Sequence, residues 1–170
     1  MHIFLTGVPG VGKSTIVSSV VEELHKEIAG FSTIGEPIVG NNPSNVVMYN
    51  LAAGREDSMI VAHRYGDGRY KGDAPAFDTF GTKTLLDFKE IDLVIMDELG
   101  FMENEAYAFQ KMVMTVLDGD IPVLGVIKPR NTAFLDGVRR HRKVKLLVVK
   151  EENREEVKKK VLDDYRNQLK

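Results

Sequence analysis

The sequence contains no cysteine among its 170 residues, which excludes disulfide bonds, thiolate metal sites and cysteine nucleophiles. It also lacks an apolar run approaching the roughly 18 residues that cross a bilayer, which argues against a membrane segment. Met1 leads directly into a short apolar run and leaves no room for a signal or transit peptide. We therefore expect a soluble, cytoplasmic protein.

Net charge is small as well. The chain has 23 Lys and Arg against 25 Asp and Glu, a formal net charge of −2, and a pI near 6.1. This balance argues against a protein that mainly holds nucleic acid through its phosphates. A basic cluster at 139–145 keeps a local nucleic-acid-binding patch as an alternative. It falls at a predicted helix C-terminus, where cations complement the helix dipole, and we favour that explanation.

What the sequence does contain is a complete phosphate-binding motif. The spacing G-x-x-x-x-G-K-[ST] is filled by Gly7-Val8-Pro9-Gly10-Val11-Gly12-Lys13-Ser14. An apolar run at 2–6 predicts a strand before it, and an amphipathic pattern from Ser14 onward predicts a helix after it. Inward-pointing backbone N–H groups and the helix dipole suit a triphosphate. We expect the whole loop and Thr15 to contact nucleotide, Lys13 to reach the β- and γ-phosphates, and Ser14 to bind Mg²⁺.

Alternating strand and helix patterns predict one α/β domain over 1–170 with a mostly parallel sheet. Strands are predicted at 2–6, 31–38, 93–96, 122–127 and 145–149, with an inserted hairpin at 46–51 and 58–63. Helices are predicted from Ser14 to a stop at Gly30, at 82–88 with Leu85 and Leu86 inward, at 109–117 with Asn104 as cap, at 134–142, and after a capping box at Asn153 and Glu156. The segment 64–75 has no hydrophobic period and predicts a mobile surface loop. Phe101 and Phe109 are expected in core packing.

A second part of the site is predicted where the strand at 93–96 ends. Asp97 follows this buried strand, as expected for the carboxylate that holds Mg²⁺ in a phosphate-loop protein. Glu98 comes next, and a carboxylate beside a metal-bound γ-phosphate can orient and deprotonate water. The alternative is an acidic pair that only ends a strand, which the complete phosphate loop disfavours.

Three stretches carry a resemblance that runs over nearly the whole chain: the loop at 7–14, the run DELGFME at 97–103 and GRY at 68–70. They resemble the small nucleoside-triphosphatase family that includes the human cancer-related nucleoside-triphosphatase. The resemblance implies a three-layer, RecA-like P-loop NTPase fold with parallel strand order 5-1-4-3-2 and the hairpin beyond strand 2. It also implies that Asp97 holds Mg²⁺ and that Glu98 activates water. Arg69 and Glu103 match without an assigned role, and 35–87 is least alike.

Several basic residues are candidates for a finger that stabilises transition-state charge. Arg64, Arg69 and Lys71 lie in the predicted loop, and Lys128 and Arg130 follow the fourth parallel strand. We rank Arg69 first as a catalytic candidate because it lies in a matched segment.

The leading function is Mg²⁺-dependent hydrolysis of nucleoside triphosphates, ATP, GTP or others, with broad base specificity. The alternative is a small-molecule or nucleotide kinase that uses the same loop and metal, with 64–75 as its lid. A GTP-dependent switch is disfavoured because Asp97 to Gly100 fits D-x-x-G but no N-K-x-D segment follows. Nothing in the sequence indicates the oligomeric state.

Overall fold

Eight strands form one sheet in the computed structural model, which describes residues 1–54, 56–86 and 90–170. The strands are β1 His2–Thr6, β2 Ile28–Gly35, β3 Ser44–Asn50, β4 Ser58–Arg64, β5 Tyr70–Gly72, β6 Leu93–Leu99, β7 Val123–Ile127 and β8 Val144–Val148. Their order across the sheet is β5-β4-β3-β2-β6-β7-β1-β8. β1 is buried at every position and lies between two parallel neighbours, so the loop that follows it starts well inside the sheet.

The parallel part of the sheet confirms the order implied by the resemblance. β8, β1, β7, β6 and β2 pair in parallel in that sequence, which corresponds to 5-1-4-3-2. The predicted hairpin is confirmed as antiparallel β3 and β4, which extend the sheet beyond β2. The order differs in detail because a short eighth strand, β5, pairs with β4 at the edge.

Helices cover both faces of the sheet, which makes the predicted three layers. They are α1 Lys13–Leu24, α2 Ala74–Ala76, a π-helical turn Phe77–Gly81, α3 Thr82–Thr84, α4 Tyr107–Asp118, α5 Ala133–Arg140, a 3₁₀ turn Glu151–Asn153 and α6 Arg154–Gln168. Ile3 and Leu5 of β1 join one core with α1 and α6, and Phe4 joins the other with α4 and α5. Within the described residues, no helix combines the length and apolarity that a bilayer crossing requires.

The segment predicted as a mobile loop, 64–75, is ordered by the sheet edge. Arg64 ends β4, residues 70–72 form β5, and Asp73 caps a helical stretch through a hydrogen bond to the backbone N–H of Ala76. That stretch runs from Ala74 to Thr84, so the helix predicted at 82–88 is displaced; 87 and 88 lie outside the described residues. Leu85 is buried as predicted, but Leu86 is 60% exposed.

Gly30 does not stop the first helix. α1 ends at Leu24 with His25 in the left-handed region at φ 49°, and β2 has begun before Gly30. Gly30 has φ 107°, and a methyl group there would overlap the carbonyl oxygen of Ile95 on the neighbouring strand. Glycine is needed because β2 and β6 approach closely at this residue.

Two predicted caps are replaced by contacts from elsewhere in the fold. The N-terminus of α4 is capped by Asp78 of the π-helical turn, whose carboxylate accepts from the N–H of Phe109 at 2.9 Å, and Asn104 lies outside the helix. Asn153 makes no capping bond to α6. Its side chain instead accepts from the N–H of Lys150 and donates to the carbonyl of Val148, which ties α6 to the end of β8.

The packing of Gly30 predicts a large loss of stability for Gly30→Ala, because the new methyl group would overlap the Ile95 carbonyl at a positive φ. We expect the free energy of unfolding to fall by about 2–4 kcal/mol in urea denaturation. Gly137→Ala is the matched control, since Gly137 lies inside α5 with open space around it. That change should stabilise the protein by about 0.5–1 kcal/mol. Equal effects of the two substitutions would contradict the close approach.

Candidate functional site

The phosphate-binding loop encloses the ammonium group of Lys13. Lys13 opens α1, its side chain is only 7% exposed, and Nζ donates to the carbonyl oxygens of Gly7 at 2.9 Å and Val8 at 2.8 Å. Burial lowers the pKa of Lys13, an effect that the nearby Glu98 carboxylate opposes. The loop therefore holds a desolvated cation at the N-terminus of a helix, an environment that favours an anion.

Gly7 allows β1 to turn into the loop against β8. Its φ is 149°, and a side chain there would overlap the carbonyl oxygen of Val149, which directly follows β8. The backbone of Val149 also donates to the carbonyl of Thr6 at 2.8 Å. The first turn of the loop is thus fixed by the neighbouring strand, and only glycine fits.

Ser14 and Asp97 meet across 83 residues of sequence. The Ser14 hydroxyl donates to Oδ1 of Asp97 at 2.9 Å, which joins the start of α1 to β6. Asp97 is buried, and that burial raises the pKa of its carboxyl to about 6, with the Ser14 hydrogen bond acting in the opposite direction. The two predicted metal ligands are therefore adjacent, and the carboxylate lacks a full compensating charge.

Glu98 points into the site because β6 is irregular at this residue. Asp97 pairs with Val126 and Leu99 with Ile127 on β7, so Glu98 is an extra residue in the β6 strand. Its backbone N–H donates instead to the hydroxyl of Thr33 on β2, at 3.2 Å. The irregularity releases one residue from the ladder and turns its carboxylate towards the phosphate loop.

The carboxylate of Glu98 pairs with Lys128, which directly follows β7. Nζ of Lys128 lies 3.2 Å from Oε1 of Glu98, and both side chains are about a quarter exposed. The same ammonium lies 5.5 Å from the ring centre of Tyr70 and 5.8 Å from that of Phe101. Arg130 stacks on Phe101 at 5.0 Å. Two cations and two aromatic rings thus form a wall opposite the loop.

Arg139 fixes the segment that carries this wall. Its guanidinium, on α5, donates to the carbonyl oxygens of Lys128 and Arg130 and pairs with Asp136 at 2.9 Å. Three other residues of the basic cluster also have partners inside the chain. His141, Lys143 and Lys145 contact acidic side chains at Asp118, Asp120 and Asp164. From the sequence, Arg139 is expected only to complement the dipole at the C-terminus of a helix. Its contacts show that it also holds the segment after β7.

The phosphate loop, Glu98 and the wall of cations and aromatic rings share a cleft of about 630 Å³. Its lining residues are Gly7, Pro9, Gly10, Gly12, Lys13, Ser14, Thr15, Tyr70, Glu98, Phe101, Lys128, Pro129 and Arg130. Sequence reasoning missed Tyr70 and placed Phe101 in the core, although both lie within matched segments. Phe109 is in the core as predicted.

Arg69, the finger candidate ranked first, is not among the cleft-lining residues. It follows the β4–β5 turn, is 78% exposed and pairs with Asp67 at 2.6 Å. Arg64 donates to the carbonyl of Glu36, and Lys71 lies on edge strand β5. Of the five basic candidates, Lys128 and Arg130 are the two that line the cleft.

Glu103 is a buried carboxyl beneath the site. It is 1% exposed, Oε1 accepts from the N–H of Gly100 at 2.7 Å, and Oε2 has no hydrogen-bond partner among the described atoms. Burial raises the pKa of Glu103 to about 7, against the opposing effect of its backbone hydrogen bonds. The carboxyl thereby anchors the turn that carries Phe101.

The residues at the loop fit a magnesium ion that is shared with phosphates. The described parts of the chain contain no group of three or more His, Cys, Asp or Glu side chains that could hold a metal. Mg²⁺ commonly uses one or two protein oxygens and completes its shell with water and phosphate oxygens. Ser14 and Asp97 supply such oxygens, and a cation there would favour ionisation of the buried Asp97.

Comparisons with known proteins agree with this geometry. The profile of a family described as NTPase matches residues 2–162. The chain is 31% identical to the nucleoside-triphosphatase THEP1 of Methanosarcina barkeri, over 98% of both chains. It is 27% identical to the THEP1 of Thermotoga maritima, over 95% of this chain and 94% of that protein.

Two solved structures have the same fold. The crystal structure of THEP1 from Aquifex aeolicus matches with a TM-score of 0.75 and 25% identity, over 97% of this chain and 99% of that one. The solution structure of a human cancer-related nucleoside triphosphatase matches with a TM-score of 0.76 and 22% identity, over 99% of each chain.

The burial of Glu103 predicts a pH-dependent stability. Its folded-state pKa, about 7, lies above the ordinary value of 4.5, so the folded protein binds this proton more tightly than the unfolded chain. The resulting stabilisation is complete below pH 4.5 and is lost as the pH rises through 7. The side chain introduced by Glu103→Gln stays neutral. Between pH 5 and 8 the free energy of unfolding of the wild type should therefore fall by up to about 3 kcal/mol more than that of Glu103→Gln.

Urea denaturation at both pH values provides the measurement, and Glu105→Gln, at an exposed neighbouring position, is the control. Parallel pH profiles for the wild type and Glu103→Gln would show that the buried carboxyl does not titrate in this range.

Proposed function

Since this chain belongs to the NTPase family and is a nucleoside triphosphatase, we propose that it hydrolyses triphosphates of several bases with Mg²⁺ as cofactor. The observation that carries the proposal is the position of Glu98. Its carboxylate lies in the same cleft as the phosphate loop, 3.2 Å from the ammonium of Lys128. A base and a cation are thus paired where a terminal phosphate would lie.

Binding would rest on the loop and on Lys13. Gly7 to Thr15 would surround the phosphates with backbone N–H groups, and Lys13 would exchange its contacts with the loop carbonyls for contacts with phosphate oxygens. Ser14 and Asp97 would hold Mg²⁺. That ion, when bound, neutralises charge on the β- and γ-phosphate oxygens.

Glu98 would act as the general base. A water between its carboxylate and the γ-phosphorus would lose a proton to Glu98 as its oxygen bonds to phosphorus, and the bond from phosphorus to the bridging oxygen breaks. The products are a nucleoside diphosphate and phosphate. The hydrogen bond from the Glu98 N–H to Thr33 keeps the irregular strand, and hence the carboxylate, in position.

Lys128 would supply the charge-stabilising finger. Its ammonium pairs with Glu98, whereas a triphosphate would offer stronger anionic partners in the same cleft. Movement of Lys128 to the γ-phosphate would both stabilise transition-state charge and free the Glu98 carboxylate to accept a proton. Arg69 remains a candidate for this role, but its ion pair with Asp67 would have to break first.

Base tolerance is proposed because the residues assigned to binding and catalysis would contact phosphates and water, not the base. The residues of the loop, Glu98 and Lys128 would all contact the triphosphate, which is common to every nucleotide. The kinase that the sequence left open uses the same groups. The family relationship supports hydrolysis and gives the kinase no support, so the kinase enters here as an outcome of the test.

The test is phosphate release from ATP, GTP, CTP and UTP with no added acceptor, with Mg²⁺ or with excess EDTA. We expect wild type to hydrolyse all four only with Mg²⁺. Glu98→Gln should keep its affinity for Mg²⁺·ATP in isothermal titration while its rate falls about 100-fold or more, the usual value of a general base. Asp97→Asn should differ, because losing the metal ligand weakens the Mg²⁺ dependence of binding as well as the rate.

One outcome would replace hydrolysis by phosphoryl transfer. If wild type released phosphate only at the level of Glu98→Gln until a hydroxyl-bearing metabolite was added, and then turned over quickly, the protein would be a kinase. Full activity in EDTA would instead remove the proposed role of magnesium.

Alanine substitutions at Lys128 and Arg69 distinguish the two finger candidates. Lys128→Ala should lower kcat by about 10- to 1000-fold, at or below the lower end of the range for an arginine finger. Arg69→Ala should lower kcat by less than Lys128→Ala, because its guanidinium is already held outside the cleft. Lys71→Ala, on the exposed edge strand, is the control. A larger loss for Arg69→Ala would restore the ranking made from the sequence.

A further inference from the structure

One cation beside the phosphate loop has no role in the mechanism above. Arg154 is the first residue of α6, and its side chain lies across Gly12. A methyl group on Gly12 would lie 3.3 Å from Cδ of Arg154 and 3.5 Å from Nη1, so the guanidinium packs directly on the loop backbone. The absence of a side chain at Gly12 is what allows this close approach.

Arg154 also differs from two cations further along α6. Lys158 pairs with Glu23 at 2.7 Å, and Arg166 approaches the same carboxylate at 3.5 Å. Arg154 is exposed, and no carboxylate within the described residues lies at ion-pair distance from it. It lies instead against Gly12, the N-cap residue of α1. A cation without an ion-pair partner at the positive end of a helix favours an anionic ligand.

The strand order indicates which phosphates of a bound triphosphate would lie near Arg154. Glu98 lies near the end of β6 and Lys128 directly follows β7, on one side of β1, whereas Arg154 comes after β8, on the other side. Hydrolysis by Glu98 requires the γ-phosphate to lie on the β6–β7 side of the loop. The phosphates that remain after cleavage therefore extend past Gly12, towards β8 and α6.

We propose that Arg154 binds the α- and β-phosphates, the pair retained in the diphosphate product. The proposal rests on hydrolysis at the phosphate loop. A guanidinium suits this position because its planar fork can donate two parallel hydrogen bonds to phosphate oxygens. Arg154 thus contributes to affinity for substrate and product alike, whereas Lys128 acts on the phosphate that leaves.

The experiment compares wild type, Arg154→Ala and Arg154→Lys by isothermal titration with Mg²⁺·ATP, Mg²⁺·ADP and inorganic tripolyphosphate. Arg154→Ala should weaken all three about 5- to 30-fold, as expected for a partly exposed charged contact to phosphate. In steady-state assays the loss should fall on KM and not on kcat. Arg154→Lys should recover part of the affinity, and Lys160→Ala, an exposed cation on the same helix, should bind like wild type.

Two outcomes would overturn the assignment. Weaker ATP and ADP binding with unchanged tripolyphosphate binding would show that Arg154 contacts the nucleoside. A fall in kcat without a change in ADP affinity would place it at the γ-phosphate. If wild type bound ATP but released no phosphate, hydrolysis would be refuted while the ADP and tripolyphosphate comparison still decided the role of Arg154. Unchanged thermal melting of Arg154→Ala would exclude a folding defect as the cause of weaker binding.

Discussion

The burial of the Lys13 ammonium is the constraint on which this structure depends. A desolvated cation needs acceptors, and the loop provides two of its own carbonyl oxygens, from Gly7 and Val8. Their position is fixed because β1 lies between two parallel strands and because Val149 leaves no room for a side chain at Gly7. The neighbouring strand that stabilises the sheet therefore also shapes the phosphate-binding loop.

The reactive groups follow from the strand order. β6 and β7 are neighbours, so Glu98 and Lys128 emerge at the same edge although 29 positions separate them in sequence. The extra residue in β6 turns the carboxylate out of the ladder, and Arg139 holds the segment that carries the lysine. Each device sets the direction of a side chain that the proposed mechanism uses.

The sequence predicted the parts of this arrangement that depend on local pattern. The phosphate loop, the hairpin of β3 and β4, and the buried strand that carries Asp97 each have their signal within a few residues. β5 and the helical stretch after it were missed because pairing with β4 and the cap from Asp73 order them. Gly30 was misjudged for the same kind of reason, since its role is contact with Ile95. The ion pair of Glu98 and Lys128 likewise exists only in the folded chain.

Net charge illustrates why composition gives so little information about such a site. The chain as a whole is slightly acidic, yet Lys13, Lys128 and Arg130 line the same cleft as Glu98. Elsewhere Lys143 and Lys145 pair with acidic side chains, so much of the positive charge is compensated locally. Interactions between exposed charges fade over roughly 10 Å at moderate salt. In the proposed function, the few cations within the cleft therefore select the triphosphate, and the overall charge balance gives no sign of this local cluster.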